Sequence, residues 1–294
     1  MEKVGRTGVI LKWSRRIRLT LTFLLLAYLL LCAVMWAMQR HFIFKPRALL
    51  QSSPDRLGIK FEEVHIPSGS GAEHGDLYAW WLPVETADAP TILYLHGNDK
   101  NMAAAIDLDR AARMHSMGYN MLTVDYRGYG KSTGGDPNEV KVYEDAEAAW
   151  TYLIKQRACD PKRTFIYGHS LGGAIAIDLA THHPEAAGLI AESNFTTMAD
   201  MGKLQYPYLP EQLLNQRFDS MSKVGSLKIP LLLIHGTWDR LIPYQMSQRL
   251  FDSSPQPKTL KLIEGGEHGN DAIIAPLEYR AAISDFIQRY TVQR

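Results

Sequence analysis

Residues 168–172 read Gly168, His169, Ser170, Leu171 and Gly172, a G-x-S-x-G pattern. The apolar run Thr164–Tyr167 leads into it and the helix-forming run Leu171–His183 leads out. A sharp strand-to-helix turn needs small residues beside the serine, because larger side chains would strike the neighbouring strands. Such a turn leaves the Ser170 hydroxyl exposed at a helix N-terminus with backbone N–H groups close by. A serine hydroxyl is a weak nucleophile and needs a base, itself oriented by a third group. Downstream, Asp239 follows the buried-strand pattern Pro230–Ile234 and His268 follows Thr259–Ile263; His268 is the only histidine beyond Asp239. The expected catalytic set is therefore Ser170, Asp239 and His268, in the order nucleophile, acid, base. Glu192, just after Gly188–Ala191, is the competing carboxylate, although Asp239 past the His235-Gly236 turn is better placed.

Acyl transfer develops an oxyanion that must meet preorganised N–H donors. The amide of Leu171, directly after the nucleophile, is one candidate. The amide of Asn98, where Gly97 lets the chain turn inward after Thr91–Leu95, is the other. The run from Asp125 to Ser132 lacks the spacing of a phosphate loop, and Asp125 and Arg127 are read as residues that hold neighbouring loops through hydrogen bonds and an ion pair. No H-E-x-x-H and no Cys/His cluster occurs, so no catalytic metal is expected.

These residues need a scaffold that ends several strands at one edge. Eight strand patterns occur: Phe61–Pro67, Leu77–Pro83, Thr91–Leu95, Met121–Asp125, Thr164–Tyr167, Gly188–Ala191, Pro230–Ile234 and Thr259–Ile263. A Gly/Ser turn joins the first two into a hairpin. Helical patterns at Asn101–Ser116, Pro137–Arg157, Leu171–His183, Tyr244–Asp252 and Asp271–Tyr290 separate the later ones. Alternation of this kind predicts an α/β fold, a mostly parallel sheet covered on both faces. The long interval 195–228, rich in Met, Leu, Tyr and Pro, is expected to hold a sheet-covering helix and a short lid.

From about Phe61 to Tyr290 the chain resembles an α/β-hydrolase. It is similar to the membrane-anchored serine hydrolase branch, which includes serine aminopeptidase-like and α/β-hydrolase-domain proteins. Four motifs carry the resemblance in order: His96-Gly97-Asn98, the run Asp125–Ser132, the elbow Gly168–Gly173, and His235-Gly236-Thr237 with Asp239 and Pro243. The resemblance implies an eight-stranded sheet, cofactor-free hydrolysis by Ser170, Asp239 and His268, and ester, thioester or lipid acyl substrates, with peptidases in neighbouring branches. Relatives often carry a second glycine where Lys100 stands here. The activity expected is hydrolysis of carboxylic esters or thioesters. A serine aminopeptidase-type peptidase is the rival enzyme, and a silent binding module the non-enzymatic one.

Ahead of this region lie 20 residues, Leu19 to Met38, without a charge. At 1.5 Å per residue they span roughly 30 Å, the hydrocarbon thickness of a bilayer. Residues 1–18 carry six Lys or Arg against one acid, so this flank is expected to stay cytoplasmic and send the domain to the periplasmic or extracytoplasmic side. The run is longer than a signal-peptide core and has Met35 where a small residue should precede Ala37, which favours an uncleaved anchor. The expected organisation is a basic flank (1–18), a transmembrane anchor (19–38), a linker (39–58) and a catalytic domain (59–294). Asn194 opens a glycosylation sequon, and Cys32 and Cys159 fall in different parts of the chain. Of 294 residues 46% are hydrophobic, which excludes disorder, and the formal net charge of +1 argues against a nucleic-acid partner. That charge is a sum of opposites, since residues from 39 onward hold 26 basic against 30 acidic side chains.

Overall fold

A computed structural model describes residues 3–292. Two residues of the expected basic flank, 1–2, and the last two of the expected domain, 293–294, lie outside the described residues. Eight strands form one sheet: β1 (Glu62–Ser68), β2 (Gly75–Leu82), β3 (Thr91–Leu95), β4 (Asn120–Val124), β5 (Thr164–His169), β6 (Gly188–Glu192), β7 (Leu231–Gly236) and β8 (Lys258–Ile263). Their order is β8-β7-β6-β5-β3-β4-β2-β1. β2 runs antiparallel to both β1 and β4, and every other pairing is parallel. The turn between β1 and β2 sets the hairpin register, Glu62 opposite Trp81 and Ser68 opposite Gly75.

The alternation of side chains along each strand divides the core in two. Leu93, Leu95, Ile166, Leu189, Ala191 and Leu233 pack on one face with helices α3 (Glu139–Thr151), α4 (Leu171–His182), α6 (Ser220–Val224) and α7 (Gln245–Ser253). Ile92, Tyr94, Phe165, Tyr167, Ile190 and Ile234 face the other way, against α2 (Ala105–Ser116) and α9 (Pro276–Val292). Central strands buried on both sides explain why they read as unbroken apolar runs.

The helices differ in detail from the sequence reading. The expected helix Asp271–Tyr290 is two, α8 (Asp271–Ile274) and α9, divided at Pro276, whose missing N–H suits the first turn of a new helix. α2 starts at Ala105 rather than Asn101, since residues 98–101 are used elsewhere. α3 ends at Thr151 and closes with a π-helical turn, Tyr152–Gln156. In the interval 195–228 stand α5 (Met198–Gln205), a 3-10 turn at Glu211–Leu213, and α6. Asn194 is fully buried and its Oδ1 accepts from the Phe195 amide, so the sequon is inaccessible in the folded chain.

The expected linker is the main correction. Helix α1 runs unbroken from Lys3 to Ile43, and the chain beyond it is packed on the domain. Ile43 and Phe44 are buried in the main core, and the Phe44 ring meets Phe218 edge-on at 5.9 Å. Lys45 and Pro46 then pair in parallel with Asp99 and Lys100, a two-residue ribbon on the loop after β3. Apolar residues at the end of α1 explain this: free in water they would expose surface that the domain can cover. α1 contains a stretch, Arg15–Ile43, long and apolar enough to cross a membrane, with mean hydropathy 2.4 and 6% of its apolar window buried.

Candidate active site

Ser170 sits at the junction of β5 and α4 with φ 55° and ψ −120°, a backbone conformation that a non-glycine residue holds only under constraint. The constraint is visible in its neighbours. A Cβ on Gly168 would lie 2.1 Å from the Gly172 carbonyl oxygen, and one on Gly172 would lie 2.0 Å from that of Leu95. Both positions therefore admit only glycine, and the serine is held out over the sheet edge by the two close approaches. The Ser170 amide donates to the Glu192 carbonyl at 2.9 Å, fixing the turn to β6.

His268, in the loop after β8, has Nε2 3.1 Å from Ser170 Oγ and Nδ1 2.7 Å from Asp239 Oδ2. Asp239 lies in the loop after β7, its other oxygen accepting from the amides of Leu241 and Ile242, both at 2.9 Å. His235 Nε2 stands 3.2 Å from Asp239 Oδ2. Burial pushes the Asp239 carboxyl up, but hydrogen bonds from His235 and His268, the His268 charge and the Ile242 amide outweigh it and hold it well below the usual range. The three residues from three strand ends are thus joined in one chain of hydrogen bonds.

Glu192, the competing carboxylate, points the other way. Both its oxygens are taken by Arg110 at 2.6 and 3.0 Å, and Tyr279 donates to it at 2.9 Å, with Tyr167 adding a further hydrogen bond. Burial disfavours its charge, yet Arg110 and the two hydroxyls hold its pKa below the ordinary value. The carboxylate against His268 is therefore that of Asp239.

Asn98, Ser170 and Leu171 line one cavity of about 310 Å³. Gly97 packs beside the nucleophile: a Cβ there would sit in ordinary contact, 3.5 Å from the Ser170 Cβ. The Asn98 side chain is turned outward, its Nδ2 donating to the Ile43 carbonyl at 2.6 Å, while the Asn98 carbonyl accepts from the Lys45 amide at 3.0 Å and the Tyr129 hydroxyl at 2.9 Å. Lys100, at the position where relatives often carry glycine, has φ 66°, so the left-handed turn persists without glycine. Its carbonyl accepts from the Arg47 amide at 3.0 Å, and Asn101 Nδ2 donates to the carbonyls of Arg47 and Leu49.

Asp125 and Arg127 do hold loops, though not as a pair with each other. Asp125 accepts from the Met102 amide at 2.7 Å, and Arg127 pairs with Asp145 at 2.6 Å, both side chains fully buried. Sequence reasoning missed three neighbours of the site. His169 stacks on His268 with ring centroids 5.2 Å apart, and burial together with the charges of Arg110 and His268 pushes its pKa well down. Asp271 is buried with neither carboxylate oxygen hydrogen-bonded; burial and the nearby Glu192 push its pKa up to about 8. Finally, Met35, Gln39 and Ile43 of α1 line the cavity. Asp271, Met35, Gln39 and Ile43 carry no local motif, and His169 stands at a variable position of the G-x-S-x-G pattern. Among the described residues no group of three or more His, Cys, Asp or Glu side chains is placed to hold a metal ion.

A serine at a strained strand-to-helix turn, on a mostly parallel sheet ordered in this way, defines the α/β-hydrolase class. The same architecture appears in an esterase of Pyrococcus furiosus, Pf2001, with a TM-score of 0.71, 22% identity and coverage of 85% of this chain and 98% of that one. Residues 105–262 match the prolyl oligopeptidase family, and the chain belongs to that family of hydrolases within the α/β-hydrolase superfamily. An uncharacterized protein of Mycobacterium tuberculosis (strain H37Rv) is 32% identical over 261 residues, 87% of this chain and 90% of its own. The lysophosphatidylserine lipase ABHD12 of Danio rerio is 33% identical over 225 residues, covering 69% of this chain and 58% of that protein.

Proposed function

We propose that the protein is a membrane-anchored serine hydrolase that cleaves carboxylic esters or thioesters of a small-molecule or lipid acyl substrate. The observation that carries this reading is His268, placed between Ser170 Oγ at 3.1 Å and Asp239 Oδ2 at 2.7 Å, with Ser170 on the wall of a cavity. Ser170 attacks the acyl carbonyl while His268 Nε2 takes its proton. Asp239 holds the Nδ1 hydrogen, fixing the tautomer and stabilising the imidazolium that forms. The amides of Leu171 and Asn98 receive the oxyanion. His268 returns the proton to the departing alcohol or thiol, and water then attacks the acyl-enzyme by the same route. α1, through its uncharged run, holds the enzyme in the bilayer, with the basic flank on the cytoplasmic side.

The peptidase alternative draws support from the family match. It requires a carboxylate for a substrate amine, and Glu192 is occupied by Arg110, while Glu267 is not among the residues that line the cavity. A silent binding module would have no use for the strained serine. Ser170→Ala is expected to abolish hydrolysis of p-nitrophenyl esters by the full-length protein in detergent. Retention of that hydrolysis at wild-type rate would overturn the reading.

A further inference from the structure

The cavity beside Ser170 is built by two unlike walls. One is the last turns of α1, through Met35, Gln39 and Ile43; the other is α5 and the chain after it, through Met201, Tyr206 and Leu214. A helix apolar enough to cross a membrane thus forms part of the chamber where the nucleophile stands.

The chain after α5 also runs back along α1. At its upper end Gln39 Nε2 donates to the Leu213 carbonyl at 3.2 Å, and Gln39 Oε1 accepts from the Asn215 amide at 2.9 Å. At its lower end the Tyr28 hydroxyl donates to the Tyr208 carbonyl at 2.9 Å. Eleven residues of helix separate Gln39 from Tyr28, about 16 Å along the axis. Tyr28 is at the middle of the uncharged run Leu19–Met38, not at its end. A bilayer that covers this run therefore also covers the backbone at Tyr208. Three side chains there suit that depth: Leu204 is 53% exposed and Tyr208 58% exposed, with Pro207 exposed between them, while the polar Gln205, also exposed, lines the cavity. The charges flanking this tip, Lys203 and Glu211, are paired with each other at 2.7 Å. Arg40, His41, Lys45 and Arg47 follow the run, where phosphate headgroups would lie.

We propose that the tip Leu204–Tyr208 inserts into the bilayer beside α1, reaching toward its middle at Tyr208, and that the acyl chain of a membrane-resident ester enters the cavity sideways from the leaflet, between α1 and α5, without crossing water. This rests on the reading of α1 as a membrane anchor and of Ser170 as the nucleophile. Neither Leu204 nor Tyr208 lines the cavity, so their side chains serve the membrane contact rather than the chemistry.

The test uses the full-length chain, with Cys32 and Cys159 replaced by serine, in vesicles of phosphatidylcholine and phosphatidylglycerol. A nitrobenzoxadiazole label is placed in turn at Phe23→Cys, Leu204→Cys and Tyr208→Cys, and quenching by doxyl-labelled lipids is read. Quenching at all three positions is the expected result. Quenching at position 23 alone overturns the insertion proposal and leaves the anchor standing; no quenching at position 23 overturns the anchor reading and the proposal with it. A second measurement follows the double variant Leu204→Asp/Tyr208→Asp. Loss of two apolar contacts with lipid should lower turnover of a long-chain ester held in the vesicles by about tenfold or more. Turnover of soluble p-nitrophenyl butyrate should change by less than about twofold, as expected of surface substitutions. Equal losses on both substrates, in protein with an unchanged melting temperature, would contradict sideways entry.

Discussion

In the proposed reading Ser170, His268 and Asp239 from three strand ends carry the chemistry, and the acid can be tested against the carboxylate that resembles it, Glu192. Asp239→Asn keeps the shape but removes the charge that His268 needs, so kcat should fall by about 10³- to 10⁴-fold. Glu192→Gln should leave kcat within about tenfold while costing about 3 kcal/mol or more in urea unfolding, because it strands Arg110 as a buried unpaired charge. The reverse pattern would reassign the acid. Asp271 supplies a pH test. Its folded pKa of about 8 lies above the unfolded value, so the folded state binds the extra proton and stability falls as pH rises from roughly 4 to 8. Asp271→Asn should therefore stabilise the protein at pH 8 by about 1–2 kcal/mol or more and gain little at pH 4; denaturation midpoints at the two pH values decide it. That Ser170, Asp239 and His268 would stand together was legible in the sequence, since each follows an apolar strand and bears a recognisable residue type. Arg110 was not, because a lone arginine in a helix gives no sign that it faces a carboxylate 82 residues away.

At the scale of elements, the site depends on how tightly the strand-to-helix turn is closed. Gly172→Ala puts a methyl group 2.0 Å from the Leu95 carbonyl oxygen, and backbone atoms cannot retreat as a flexible side chain would. The expected outcome is loss of soluble folded protein or a destabilisation of about 3 kcal/mol or more, measured by thermal unfolding. The eight strands were readable because central parallel strands are apolar throughout and the hairpin has its Gly/Ser turn. The segment 39–58 was misread as a linker for an equally physical reason. Its ribbon with residues 99–100 is two residues long, and its burial depends on Phe218, far away in sequence. Consequently a chain beginning at residue 59 should be less stable than one beginning at residue 42 by about 3 kcal/mol or more, the value of burying Ile43 and Phe44. Equal urea midpoints for the two would show that the strap is a passenger.

For the molecule as a whole, the near-neutral charge conceals a basic N-terminal flank and a mildly acidic domain joined by the uncharged stretch of α1. The segment after α1 is bonded to the Asn98 loop, so the helix long and apolar enough to cross a membrane is tied to a loop that lines the cavity. In sealed right-side-out vesicles, protease added outside should digest the domain and spare the first 18 residues; the opposite protection would reverse the orientation. The catalytic expectations depend on Ser170 being the nucleophile. The most direct measurement is mass spectrometry of the full-length protein after reaction with a fluorophosphonate. The account predicts one adduct per chain, on the peptide containing Ser170, lost in Ser170→Ala and strongly slowed in His268→Ala. An adduct on any other residue, or ester-hydrolysing protein that takes up no label, would contradict it.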